Sequence, residues 1–205
     1  MGDPTTLVAY FLTALAIELT PGPNMAYLAL VGVSRGRRAG FMTVVGVALG
    51  LALLGALVGI GLGSLILENP LVYEILRWAG AAYVVWLAWD GWREARGQAD
   101  AGDLPDRPIT YFRRGFVTNL LNPKAALFFV TVMPGFIAAG QPLLAQTTLL
   151  VALYVAAATL IHAAIVLLAA TLQPVFTHPR LRRGAAAVFA LALVGVAVWL
   201  LLKTG

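Results

Sequence analysis

A chain of 205 residues that is 60% apolar and only 11% charged has more apolar length than a soluble core of this size can cover, and its apolar residues fall in long runs. The net charge of +5 lies in short clusters between those runs, which argues against a nucleic-acid surface, and the lack of cysteine excludes disulfides, thiol relays and thiolate metal sites. The length admits one membrane domain of about six spans at roughly 20 residues each.

The N-terminus, Met1-Gly2-Asp3-Pro4, carries no basic region and no cleavage signal, so the first apolar run is expected to be a retained span. Span 1 covers residues 7–33, with Asp3 capping its start and Pro4 in the first turn. It is interrupted by Glu18-Leu19-Thr20-Pro21-Gly22-Pro23-Asn24. Each proline removes a backbone donor and clashes with the preceding turn, so the helix must break. In lipid, freed backbone groups need partners, so the break must be buried in protein or line a cavity. Glu18 adds an ionisable group at the same depth, which costs about 2.5–3.5 kcal/mol on insertion scales.

Ser34-Arg35-Gly36-Arg37-Arg38 reads as a tight basic loop. Span 2, residues 40–67, carries no charge. Its glycines form two sets, Gly46 with Gly50 and Gly55 with Gly59 and Gly63, on roughly opposite faces, so the span is expected to pack between two helices. Glu68-Asn69-Pro70 turns the chain into span 3, residues 71–92, whose tryptophans and tyrosine suit interfacial belts. Arg77 and Asp90, near its two ends, are expected to be solvated.

Residues 93–107 read as a flexible polar linker that separates a first repeat, about 4–92, from a second, about 108–203. Span 4, residues 110–139, carries a second break, Asn119-Leu120-Leu121-Asn122-Pro123-Lys124. Span 5 covers residues 143–173 and contains His162, either a satisfied packing residue or a proton carrier. A basic loop around His178–Arg183 leads to span 6, residues 184–202.

The loops after spans 1, 3 and 5 hold eleven lysines and arginines, counting Arg113 and Arg114, against Lys203 and Arg77 on the other side. This bias predicts cytoplasmic loops and both termini outside. Pro23 and Pro123 align at an offset of one hundred residues and both fall in the first span of a three-span half. Three spans is an odd number, so the halves must be inverted. The expected fold is therefore an all-α membrane protein of six helices in two inverted three-helix repeats, with helices 1 and 4 broken, an arrangement that points to a midplane transport site. The restarting half-helices and Lys124 would seat a carboxylate, while the carbonyl ends of the first halves, with Glu18, Asn119 or Asn122, would hold an ammonium. Snorkelling of Lys124 along its stem is the competing reading.

Thr20-Pro21-Gly22-Pro23-Asn24, the glycines at 40, 46 and 50, Trp78-Ala79-Gly80-Ala81-Ala82-Tyr83 and Phe116-Val117-Thr118-Asn119-Leu120-Leu121-Asn122-Pro123-Lys124 together resemble the lysine exporter (LysE) superfamily, in its homoserine/threonine exporter (RhtB) branch. The resemblance covers almost the whole chain. It implies a bacterial inner-membrane exporter of small amino acids or close derivatives, driven by proton antiport. Substrate-binding residues would be Thr20, Pro21, Gly22, Pro23, Asn24, Asn119, Asn122, Pro123 and Lys124, with Glu18 and His162 as proton-coupling candidates. Members often carry an apolar or small residue near Glu18 and an aspartate near His162, so the chain departs from the pattern at both. A passive channel, or an exporter of another small solute or cation, is the alternative. No paired-carboxylate or H-E-x-x-H site is present, so neither an enzyme nor a cofactor or metal is expected. The partners implied are an amino acid, protons and the lipid bilayer; the glycine faces would also serve a homodimer.

Overall fold

The computed structural model describes residues 3–20, 22–62, 69–96, 107–174 and 179–203. Pro21, Gly63, Glu68, most of the predicted linker (residues 97–106) and His178 lie outside the described residues. Within them the chain is helical, with no strand. The helices are α1 (Pro4–Glu18), α2 (Pro23–Leu57), α3 (Pro70–Arg96), α4 (Pro108–Leu120), α5 (Pro123–Leu127), α6 (Leu143–Thr171) and α7 (Pro179–Lys203). Six of these seven start on proline, whose missing N–H costs nothing in the first turn. Asp3 starts α1 through its backbone carbonyl, which accepts from Leu7 N at 3.1 Å; its carboxylate accepts instead from the Thr5 hydroxyl. Asn69 does cap α3, its side-chain oxygen accepting from Leu71 N at 3.1 Å.

The expected loop at 34–38 is reduced to one residue. Helix α2 runs on through Ser34 and Arg38, and only Gly36 leaves helical geometry, at φ 78° and ψ −170°. That left-handed backbone is open to glycine and costly for other residues. The contacts on either side show that the chain reverses there. Gly32 abuts Ala169 and Gly36 abuts Gln173, so this limb runs parallel to α6. Gly40, Gly55 and Gly59 then meet Val166, Val151 and Thr147, so the following limb runs antiparallel to it. Leu28 and Val44, equally far from Gly36, pack together on Val166.

The two glycine sets of the second limb do face different helices. Gly46 and Gly50 lie against the α4 backbone at Phe112 and Phe116, with Asn119 also in contact, while Gly55 and Gly59 lie against α6. A methyl group at Gly50 would come within 2.7 Å of the Phe116 carbonyl oxygen. The limb therefore packs between two helices at backbone distance, as small residues permit.

Three described helices are long and apolar enough to cross a membrane: residues Pro23–Gly61, Pro70–Arg93 and Leu143–Thr171. A fourth results if the pair Pro108–Leu120 and Pro123–Phe136, bent by 48°, counts as one span. Past α5 the chain continues as a π-turn (Phe128–Val132) and a 3-10 turn (Met133–Phe136). Two apolar clusters organise the packing. One joins Tyr10 and Ala14 of α1 to Leu51, Phe129 and Tyr154, and the other joins Tyr27 and Val31 to Leu87 of α3 and Leu193 of α7.

Arg77 and Asp90 correct the expectation of solvated charges. Arg77 is buried, 2.5 Å from Glu74, and donates to the Leu201 carbonyl at 3.1 Å, which ties α3 to the end of α7. Asp90 pairs with Arg114 at 2.7 Å, and that guanidinium also lies over the Trp86 ring. Lipid offers these charges no hydration along the helix flank, so each takes a protein partner.

Candidate transport site

The helices end and restart in the same way at the two breaks. Helix α1 ends as Leu19 N bonds Leu15 O and Thr20 N tightens onto Ile17 O. Gly22 is extended, and its carbonyl accepts from Ala26 N to open α2. Helix α4 ends as Leu121 N bonds Val117 O and Asn122 N bonds Asn119 O. Asn122 is extended, and its carbonyl accepts from Ala126 N to open α5. Both restarts fall on a proline, Pro23 and Pro123. The one asymmetry in capping is the Asn122 side chain, which also accepts from Lys124 N at 3.1 Å.

Each break reaches across to the other. Asn24, just past Pro23, donates through Nδ2 to Asn119 Oδ1 at 2.6 Å. Lys124, just past Pro123, donates through Nζ to the Thr20 carbonyl at 2.9 Å. Asn122 Nδ2 adds a longer bond, 3.4 Å, to the same Asn119 oxygen. Thr20 thus serves as a backbone acceptor for Lys124, which is half-buried. Asn24, Asn119 and Asn122 are buried, and Asn24 Oδ1 and Asn119 Nδ2 have no hydrogen-bond partner among the described residues. Open groups of this kind are costly inside a protein, and they offer one acceptor and one donor to a ligand. The cavity beside them, lined by Pro23, Gly80, Thr118, Asn122 and Pro123, measures about 10 Å³. That is room for about one water molecule.

Glu18 sits at the end of α1, on the face that also buries Tyr10 and Ala14. Its carboxylate is buried, with 5% of the residue exposed. The Tyr154 hydroxyl donates to Oε1, and His162 Nε2 lies 3.4 Å from Oε2. Tyr154 and His162 are eight residues apart on α6, which puts them on one face two turns apart, with fully buried Ala158 between them. Phe128 and Phe129 pack on the Tyr154 ring at centroid distances of 4.2 and 4.9 Å, which fixes its position.

The structure therefore brings together the predicted residues that it describes, in two adjoining groups: an amide group of Asn24, Asn119 and Asn122, and an acid group of Glu18 and His162. Lys124 bonds the Thr20 carbonyl, and a methyl group added at Gly22 would stand 3.8 Å from the Lys124 stem. Tyr154 was missed from sequence. Its only signal there is the eight-residue spacing to His162, which means little until α6 is known to face Glu18. A wide apolar groove of about 790 Å³ between the second limb of α2 and α6 contains none of these residues.

Comparison with known proteins identifies the family. The family model described as LysE type translocator matches residues 15–204, which includes both breaks, Tyr154 and His162. The chain is 38% identical over 144 residues to the homoserine/homoserine lactone efflux protein of Salmonella typhimurium, covering 69% of each chain. It is 33% identical over 134 residues to the leucine efflux protein of Klebsiella pneumoniae, covering 63% of this chain and 62% of that one. It is also 36% identical over 138 residues to the uncharacterized membrane protein YahN of Escherichia coli, covering 63% and 60%. No solved structure matches. With two matched helix breaks, a buried polar site between them and a family match over nearly its full length, the chain belongs to the LysE type translocators, and it is a transporter rather than an enzyme.

Proposed function

We propose that the protein exports small amino acids or close derivatives across the bacterial inner membrane by proton antiport. The observation that carries this reading is the reciprocal bracing of the breaks: Asn24 to Asn119 and Lys124 to Thr20. A zwitterion replaces the Lys124–Thr20 bond and takes up the two amide atoms that the Asn24–Asn119 bond leaves open. Its carboxylate takes the Lys124 ammonium and Asn119 Nδ2, and its ammonium takes the Thr20 carbonyl and Asn24 Oδ1. Exchanging protein bonds for substrate bonds costs little net free energy, which suits a carrier that must also release its cargo. The relatives named for homoserine, homoserine lactone and leucine efflux support a small, mostly neutral substrate.

The six apolar passes are then α1 with the first limb of α2, the second limb, α3, α4 with α5, α6, and α7. Inverted three-pass halves meet at the two breaks, and rocking of one half against the other alternates access. The clusters of arginine face the cytoplasm and both termini lie outside. Substrate leaves outward as a proton enters on the Glu18–His162 pair.

The test uses vesicles carrying the protein, with a mixture of amino acids and an imposed pH gradient. Export that follows the gradient, together with accelerated exchange when substrate is present on the opposite side, is expected. Flux without such exchange marks a passive channel and overturns the reading. Glu18→Gln and His162→Asn keep approximate shape while removing titration. At least one should abolish pH-driven export and keep exchange at equal pH, which needs no net proton movement.

A further inference from the structure

Glu18 carries two differently held oxygens. Oε1 accepts the Tyr154 hydroxyl, and Oε2 faces His162 Nε2 at 3.4 Å. We propose that Tyr154 is the positioning residue of proton coupling: it occupies Oε1, sets the proton affinity of Glu18, and confines its proton to Oε2, the oxygen that exchanges with His162. The proposal rests on the reading that Glu18 carries the proton.

The surroundings of Tyr154 and Glu18 support it. Tyr154 is fully buried, and its ring is wedged by Phe128 and Phe129, so its hydroxyl cannot follow the carboxylate if that rotates. Tyr154 and His162 approach from the same face of α6, so they define one direction for the carboxylate plane. The remaining titratable neighbours are few. On its own helix there is Tyr10, which is buried against Phe128 and Phe136. From α5 there is Lys124, whose ammonium is held by the Thr20 carbonyl. Residues 40–62 and Met133–Phe136 bring no titratable group. The proton step is a simple transfer. The O–H bond on Oε2 breaks, the N–H bond on Nε2 forms, and a neutral acid and imidazole become carboxylate and imidazolium. Tyr154 keeps its proton throughout and donates to Oε1 in both states. Its bond is stronger to the carboxylate than to the neutral acid, because charge-assisted hydrogen bonds are the stronger kind. Removing it should therefore make Glu18 hold its proton more tightly.

The experiment measures initial rates of export in proteoliposomes against pH for the unaltered protein, Tyr154→Phe and Glu18→Gln. Tyr154→Phe is expected to move the pH midpoint of export upward by about one unit, a roughly tenfold change in proton affinity. A merely structural tyrosine would lower the amount of folded protein and leave the midpoint where it is, and that result overturns the proposal. If Tyr154→Phe does not fold, a ring-fluorinated tyrosine placed at 154 keeps the shape and is a stronger donor. Its midpoint should move downward, and an unmoved midpoint overturns the proposal equally. Infrared difference spectra of purified protein supply a readout independent of transport: the carboxylic-acid band lost in Glu18→Gln should titrate at higher pH in Tyr154→Phe. Should Glu18→Gln itself keep full pH-driven export, the reading of Glu18 as carrier fails. Should Glu18→Gln abolish export while Tyr154→Phe leaves the midpoint unmoved, only the role of Tyr154 fails.

Discussion

Asn24 and Asn119, 95 residues apart in the chain, are joined by a 2.6 Å hydrogen bond between the two helix breaks. Both side chains are buried, and each keeps one amide atom unpaired among the described residues. A bond whose partners are only half satisfied closes the gap and still leaves binding capacity beside it. Stability alone would favour two apolar residues at these positions.

Asn24→Leu combined with Asn119→Leu should therefore fold, with thermal stability in detergent equal to or above that of the unaltered protein, and should lose transport. Asn119→Leu alone should be destabilised by about 1–3 kcal/mol, because it strands the Asn24 amide. Thermal unfolding of the three variants, with transport assayed in vesicles, checks both statements.

Lys124→Gln should weaken export of substrates with a free carboxylate by at least about tenfold, since a charge-assisted bond worth roughly 1.5–3 kcal/mol is lost. An amino acid amide lacks that charge and should lose its disadvantage in the variant. Competition between the two substrates in one vesicle preparation measures the change. Unchanged transport at low substrate concentration would mean that Lys124 serves only to brace Thr20.

Labels placed at residues 34–38, 98–106 and 180–183 should react only from the cytoplasmic side, and tags at either terminus only from outside. The eleven basic residues around these loops motivate this. Termini on opposite sides would remove the inverted arrangement of six passes.

Gly46→Ala should destabilise the protein by about 1–3 kcal/mol, as overpacking does. The added methyl group meets the Phe112 carbonyl oxygen, which belongs to a helix backbone and cannot step aside. Gly184→Ala in α7 meets nothing within 4 Å and should be neutral or stabilising, because alanine is the better helix former. The melting temperature of Gly46→Ala should fall, and that of Gly184→Ala should stay level or rise. Equal shifts would show that helix propensity, and not the close approach to α4, governs both sites.

Much of this site is legible in the sequence because its signals are local. Proline cannot continue a helix whatever surrounds it, so Thr20–Asn24 and Asn119–Lys124 mark two breaks before any packing is known. Glycine spacing along one helix is likewise a property of that helix, and the opposed faces of Gly46 with Gly50 and Gly55 with Gly59 follow from it. What the sequence could not decide is which side chains meet. A helix in lipid is apolar on its outer face as well as its inner one, so hydrophobic periodicity does not say which face turns inward. Tyr154 reaching Glu18, 136 residues away, depends on that rotation and on α1 lying beside α6. The burial of Arg77 against the Leu201 carbonyl, and the pairing of Asp90 with Arg114, depend on neighbours that only the packed helices supply. Gly36 shows the same division. Its type permits a left-handed residue, but only the packing of Gly32 and Gly40 on one turn of α6 makes the chain reverse there.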